Sequence, residues 1–155
     1  MRYALPICTG ALAIAVDLWL PGWALAQNYP PSVRQLVDSA KKQIKTIDMA
    51  TFKSAFDKND LGLLVDVREP AEFADGYIPG AVNVPRGVIE LRIWALVGYP
   101  DKTDMSKKMT LYCGSGVRCI LAAKSLQDLG FSDVTAADMR IDEWAKEGYP
   151  LVTRK

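Results

Sequence analysis

From residue 31 onward, short apolar runs alternate with stretches whose apolar residues recur every three or four positions, the pattern of strands interleaved with amphipathic helices. Ser32 and Gln35 stand at capping-box spacing, and Val33, Leu36, Val37, Ala40 and Ile44 then follow helical periodicity. "IKTI" (44–47) is expected to be an edge strand. Asp48 can cap a helix whose Met49, Phe52 and Phe56 share a face. "LGLLVDVR" (61–68) is almost uniformly apolar, as a strand covered on both faces has to be. Pro70 suits the first turn of a short helix that ends before Gly76. "AVNVP" (81–85), "MTLYC" (109–113) and "SDVTAA" (132–137) predict three more strands. Ile120, Leu121, Ala123 and Leu129 predict a helix over 118–129 stopped by Gly130, and Ile141 with Trp144 marks a last helix before Gly148. The pattern assigns no element to residues 87–106.

Strands alternating with helices imply an α/β domain on a mostly parallel sheet. A chain of 155 residues, 50% of them hydrophobic, can bury one proper core. Its 19 basic and 18 acidic residues leave a net charge of +1, so there is no long-range field to collect nucleic acid, and any anion must be held locally.

The first residues read differently. "MRYALPICTGALAIAVDLWLPGWALAQ" has Arg2, an apolar stretch to Val16, helix-breaking Pro21 and Gly22, then Ala24-Leu25-Ala26 in the small-x-small form that signal peptidase cleaves. Residues 1–26 are therefore expected to be a secretory signal; an uncleaved anchor is the alternative, against which Asp17, Pro21 and Gly22 interrupt the span. Residues 27–43 follow as an N-terminal helical extension and 44–155 as the main domain. The expected location is the periplasm, with no membrane attachment after cleavage. Cleavage would remove Cys8 and leave Cys113 and Cys119, and outside the cytoplasm such thiols tend towards disulfides.

Cys113 ends an apolar strand, and a glycine-containing turn leads from it into a helix. In open α/β sheets ligands bind at such carboxyl ends. Backbone N–H groups of Gly114 to Val117 can curl into an anion-holding nest, the following helix adds its positive end, and glycines at 114 and 116 permit a tight loop. A thiolate placed there beside Arg118 should be acidic and reactive near neutrality. The alternative is an inert, buried cysteine. Arg118 is either a ligand-facing cation or the partner of a buried acid such as Asp66. Asp66 and Arg68 are expected to brace the strand end, Trp144 to lie in the core, and Trp94 and Tyr99 to line the site mouth. Cys119 is either a small packed residue or a resolving thiol for Cys113, the latter requiring Cα atoms within about 7 Å.

"CGSGVR" (113–118) resembles the active-site loop of single-domain rhodaneses, which are sulfurtransferases. "DVREPAEFADGYIPGAVNVP" (66–85) resembles their other hallmark segment, and "LGFSDVTAADMRIDEWAKEGYP" (129–150) their closing strand and helix. The resemblance spans roughly residues 44–153 and implies a central, parallel five-stranded sheet with helices on both faces. It also implies that Cys113 accepts a sulfane sulfur as a persulfide, cradled by the amides of Gly114, Ser115, Gly116, Val117 and Arg118. The donor would be a small sulfur-containing anion such as thiosulfate, or a persulfide, and the acceptor cyanide or a thiol. No metal or organic cofactor is implied, since the chain has no histidine and no ligand cluster.

This chain departs from the family pattern in several places. Tyr77 stands where members often carry histidine, so thiolate formation must rest on the loop's own electrostatics. The usual paired glycine before the last helix is replaced around "ADMRIDEW", which alters the groove edge. The first four loop residues resemble those of mercaptopyruvate sulfurtransferases, although Val117 and Arg118 differ. Related cysteine phosphatases and arsenate reductases use Cys-x5-Arg, whereas Cys113 and Arg118 form the smaller Cys-x4-Arg ring, which favours sulfur transfer. A second reading keeps the same cysteines: a non-catalytic sulfur carrier or redox-sensing module, with a thiol-redox protein as partner of Cys113 and Cys119.

Overall fold

The computed structural model describes residues 29–153, so the expected signal segment lies outside the described residues. Helix α1 (Pro31–Lys41) leads to strand β1 (Lys45–Ile47), helix α2 (Met49–Asp57), strand β2 (Leu63–Asp66), helix α3 (Pro70–Asp75) and strand β3 (Val82–Asn83). A short helix α4 (Ile89–Arg92) sits between two 3-10 turns, followed by strand β4 (Met109–Tyr112), helix α5 (Val117–Asp128), strand β5 (Val134–Ala137) and helix α6 (Ile141–Lys146).

The five strands pair in parallel in the order β1-β5-β4-β2-β3, so the α/β expectation holds and "IKTI" does lie at an edge. Strand residues alternate between two cores because successive side chains leave opposite faces of a sheet. Val65, Leu111 and Ala136 join one cluster with Ile120, Ala123 and Leu126 of α5. Leu64, Tyr112 and Ala137 join the other with Phe52 of α2 and Trp144 of α6. Burial on both faces explains why the central strands β2, β4 and β5 are mostly apolar.

On the second face Trp144 is fully buried, edge-on to Phe52 at 5.3 Å and Phe56 at 5.5 Å, and its Nε1–H donates to the Pro150 carbonyl at 2.9 Å. Each such aromatic pair adds about 0.5–1.5 kcal/mol beyond the area it buries. The expected core role of Trp144 is therefore observed, and it pins α6 to α2 on the second face of the sheet.

Some boundaries differ from the pattern. Helix α1 begins at Pro31 rather than behind a Ser32 cap, since proline fits a first turn that needs no N–H. The 61–68 run contributes only Leu63–Asp66 to the sheet, and α5 starts at Val117 and closes at Asp128. The unassigned 87–106 stretch holds α4 and its flanking turns, with Ile89, Ile93 and Val97 buried four residues apart.

Candidate active site

Cys113 leaves the carboxyl end of β4, which lies between β5 and β2, and is fully buried. The chain then turns through Gly114-Ser115-Gly116 into α5. Gly116 takes φ +83°, and a Cβ there would lie 3.0 Å from Asp138 Oδ1, so this turn demands glycine. At Gly114 a Cβ would meet Arg118 Nη2 at 3.0 Å, close enough that the guanidinium would have to shift slightly. The loop is thus wound tightly enough to bring the first turn of α5 back over the cysteine.

The Cys113 sulfur is the convergence point of that winding. The Cys119 sulfur lies 3.5 Å from it, the two thiols being able to donate either way until Cys113 ionises and Cys119 becomes the donor, and the Cys119 N–H donates to it at 3.4 Å. The Ser115 N–H adds a further bond. The Cys119 S–H, followed by the Cys119 and Ser115 amides and the Arg118 charge, outweighs burial and lowers the Cys113 pKa from 9.0 to about 6. These surroundings favour the Cys113 thiolate near neutral pH. Burial pushes the Cys119 thiol the other way, well above its ordinary value, with the Cys113 charge adding to the effect. Its sulfur lies 3.0 Å from the Gly116 carbonyl and 3.3 Å from that of Ala137. The two thiols are free.

Arg118 does pair with an acid, but the acid is not Asp66. Its Nη1 and Nη2 donate to the two oxygens of Glu72 at 2.6 and 2.7 Å. That bond holds the Glu72 carboxyl below its ordinary range. Glu72 also accepts the Glu69 N–H at 3.1 Å in the first turn of α3. Asp66 is occupied by its own neighbour: Arg68 Nε lies 3.0 Å from both Asp66 oxygens and Nη2 lies 2.7 Å from Oδ2. Arg68 Nη2 reaches on to the Gly76 carbonyl at 2.6 Å, and Asn83 ties the Asp66 and Arg68 carbonyls together at 3.0 and 2.9 Å. The pair braces the start of the 68–76 connection rather than facing the thiolate.

The expectation that Trp94 and Tyr99 line the site mouth is corrected. Trp94 packs on Tyr99 and on Phe131, which lies just beyond the C-terminal end of α5, so both residues sit at the opposite end of that helix from Cys113. Tyr77, at the position of the family's histidine, stacks on Phe73 at 4.2 Å and exchanges backbone hydrogen bonds with Val152. It serves as a brace, and acidity at Cys113 is supplied by the loop and Cys119. Among the described residues no group of histidine, cysteine or carboxylate side chains is arranged to hold a metal.

Residues 48–147 match the rhodanese-like domain. The chain belongs to the rhodanese-like family. It is 30% identical over 109 residues to a sulfurtransferase of Allochromatium vinosum, covering 70% of this chain and 95% of that protein. It is 30% identical over 122 residues to the thiosulfate:glutathione sulfurtransferase of Saccharomyces cerevisiae, covering 72% and 87% respectively. A solved structure from Rhodopseudomonas palustris, a protein of unknown function described as a possible tyrosine phosphatase, aligns with TM-score 0.67 at 28% identity over 81% of this chain and 98% of that one.

In this rhodanese-like domain Glu72 and Cys119 are the participants whose roles the linear reading missed. Glu72 stands within the "DVREPAEF" hallmark, but its partner lies 46 positions away. The sequence marks Cys119 as a packed residue or a resolving thiol, whereas the structure makes its side chain the largest contributor to Cys113 acidity. A third element joins from outside the hallmark segments: Lys41 of α1 forms an ion pair with Asp138, the residue against which Gly116 packs.

Proposed function

We propose that this rhodanese-like protein is a sulfurtransferase that moves a sulfane sulfur, from thiosulfate or a persulfide, through a Cys113 persulfide to cyanide or a thiol. The observation that carries this reading is the placement of the Cys113 sulfur at a strand end, with the Cys119 sulfur at 3.5 Å and the Cys119 N–H at 3.4 Å, surroundings that lower its pKa to about 6. In the first half-reaction the thiolate attacks the outer sulfur of the donor. The S–S bond of the donor breaks, and its electron pair leaves with sulfite or a thiolate. In the second, the acceptor attacks the outer sulfur of the persulfide, and Cys113 departs as a thiolate. Each step conserves charge and needs no oxidant, metal or imidazole. Loop amides supply the stabilisation wherever negative charge rests on sulfur.

The short Cys113-to-Arg118 ring and the commitment of Arg118 to Glu72 favour sulfur over a phosphoryl group, which would need a wider anion cradle and an available cation. The proposal places the protein outside the cytoplasm, on the strength of residues 1–26, where a thiol-redox protein would be a natural acceptor. Protein purified from the exported fraction should then begin at Gln27.

Intact mass spectrometry tests the reaction. Exposure to thiosulfate or glutathione persulfide should add one sulfur, cyanide should remove it as thiocyanate, and Cys113→Ser should add none. Wild-type protein that gains no sulfur from either donor would overturn the proposal.

A further inference from the structure

Cys119 is buried completely and still carries a thiol, placed in the first turn of α5 with three acceptors around its sulfur. These are the Cys113 sulfur at 3.5 Å, the Gly116 carbonyl at 3.0 Å and the Ala137 carbonyl at 3.3 Å. One S–H can serve only one of them at a time. Burial, the anionic Cys113 sulfur and the two carbonyl oxygens oppose a second thiolate there and outweigh the Ile120 and Cys119 amides that would favour one. A cysteine in such surroundings keeps its proton and donates it.

We infer that Cys119 is a switching hydrogen-bond donor for the sulfur-transfer reaction: its S–H binds the Cys113 thiolate in the resting protein and turns to Gly116 or Ala137 when Cys113 carries sulfur. This rests on the persulfide reading above and adds the residue that governs its second half. On loading, negative charge moves from the Cys113 sulfur to the outer sulfur, and the S–H loses its anionic partner. On delivery, the bond between the two sulfurs breaks, its electron pair returns to Cys113, and the S–H swings back to stabilise the departing thiolate. The proton stays on Cys119 throughout. The donor thus favours the state in which Cys113 is the leaving group, so it should matter more for delivery than for loading.

The lowered Cys113 pKa agrees with this placement, its largest cause being the Cys119 side chain. Other charged groups at the loop are already matched. Arg118 pairs with Glu72 from α3, Asp138 after β5 pairs with Lys41 from α1, and Asp66 pairs with Arg68 beyond β2. The Tyr112 hydroxyl is engaged by the Ile78 N–H on the other face of the sheet.

The experiment compares the full-length protein with Cys119→Ala and Cys119→Ser. Thiolate absorbance near 240 nm, with Cys113→Ser as the blank, titrates Cys113 without any sulfur donor, and stopped-flow thiocyanate release follows delivery from preloaded protein. Cys119→Ala should raise the Cys113 midpoint by about one pH unit and slow delivery about tenfold, the worth of one hydrogen bond to a charged group. Serine, which still donates, should restore both to within about threefold. Thermal melts establish that each variant is folded. An unchanged midpoint and delivery rate in Cys119→Ala would overturn the inference, as would failure of a folded Cys119→Ser to restore them. So would a wild-type product two hydrogens lighter after discharge: there Cys119 would have attacked Cys113, expelled the outer sulfur as hydrogen sulfide and ended in a disulfide. Wild-type protein that takes up no sulfur would sink the transfer reading, while the titration still decides the S–H contact.

Discussion

Arg118 and Glu72 close onto each other across the mouth of the cysteine loop, joined by two parallel hydrogen bonds of 2.6 and 2.7 Å. The guanidinium that the loop sequence offers to an anion is therefore balanced by a carboxylate from α3. The side chains are 32% and 40% exposed, so the pair is only partly shielded by water and can still repel or attract a charged donor.

Glu72→Gln removes the balancing charge and leaves Arg118 to face the donor. For dianionic thiosulfate the KM should fall about fivefold at low salt, the effect of about 1 kcal/mol of charge interaction near a surface. The gain should shrink in 0.5 M salt, about the regime where screening acts within a few ångström. Steady-state kinetics at two ionic strengths measures it, and a KM unchanged at both would place the donor away from Arg118.

Sulfur loading should follow the ionisation of Cys113. Its rate is expected to rise with pH through a midpoint at about 6 and level off above neutrality. Stability has a linked dependence: a folded pKa depressed from 9.0 to about 6 contributes stability that is fully present above the unfolded value and is lost as pH falls through the folded one. Urea titrations should therefore show Cys113→Ser losing ground to the wild type as pH rises from 6 towards 9. A difference that is flat over that window would contradict the thiolate assignment.

Gly116→Ala should harm both fold and loop. A residue other than glycine at φ +83° costs about 1–2 kcal/mol in the backbone alone. The added Cβ would also stand 3.0 Å from Asp138 Oδ1, displacing the residue that Lys41 holds. A lowered melting temperature together with slower sulfur loading is the expected result, read by calorimetry and by mass.

Two ion pairs of similar appearance should respond differently to truncation. Asp66→Ala strands Arg68, whose side chain is 7% exposed, and should destabilise the protein by about 3–5 kcal/mol. Lys41→Met breaks the pair with Asp138, where the side chains are 44% and 41% exposed, and should cost less than about 1 kcal/mol. Denaturant midpoints for the two variants distinguish a buried brace from a surface contact.

Much of this was legible along the chain because it depends on neighbours in sequence. The alternation of apolar runs and helical periods dictates the α/β class, since each element has to bury the face that its own residues define. Cys113 before a glycine-containing turn, with Arg118 one turn on, specifies a strand-to-helix junction in a way that tolerates few alternatives. The segment 87–106 was harder to read. Its helix has only four residues, too short for periodicity to accumulate, and tertiary burial of Ile89, Ile93 and Val97 stabilises what local propensity does not.

Tertiary structure alone decided the partners. Glu72 and Arg118 are 46 positions apart, and Lys41 and Asp138 are 97 apart. Which acid meets which base depends on how parallel strands stack α1 and α3 around the loop, and spacing along a chain carries no such information. Cys119 lies between these cases. Its distance from Cys113 along the chain was plain, but the left-handed turn at Gly116 is what brings its sulfur to 3.5 Å from the cysteine sulfur. Residue types and order determined that a cysteine sits at a strand end before a glycine-containing turn, and the fold determined which groups surround its sulfur.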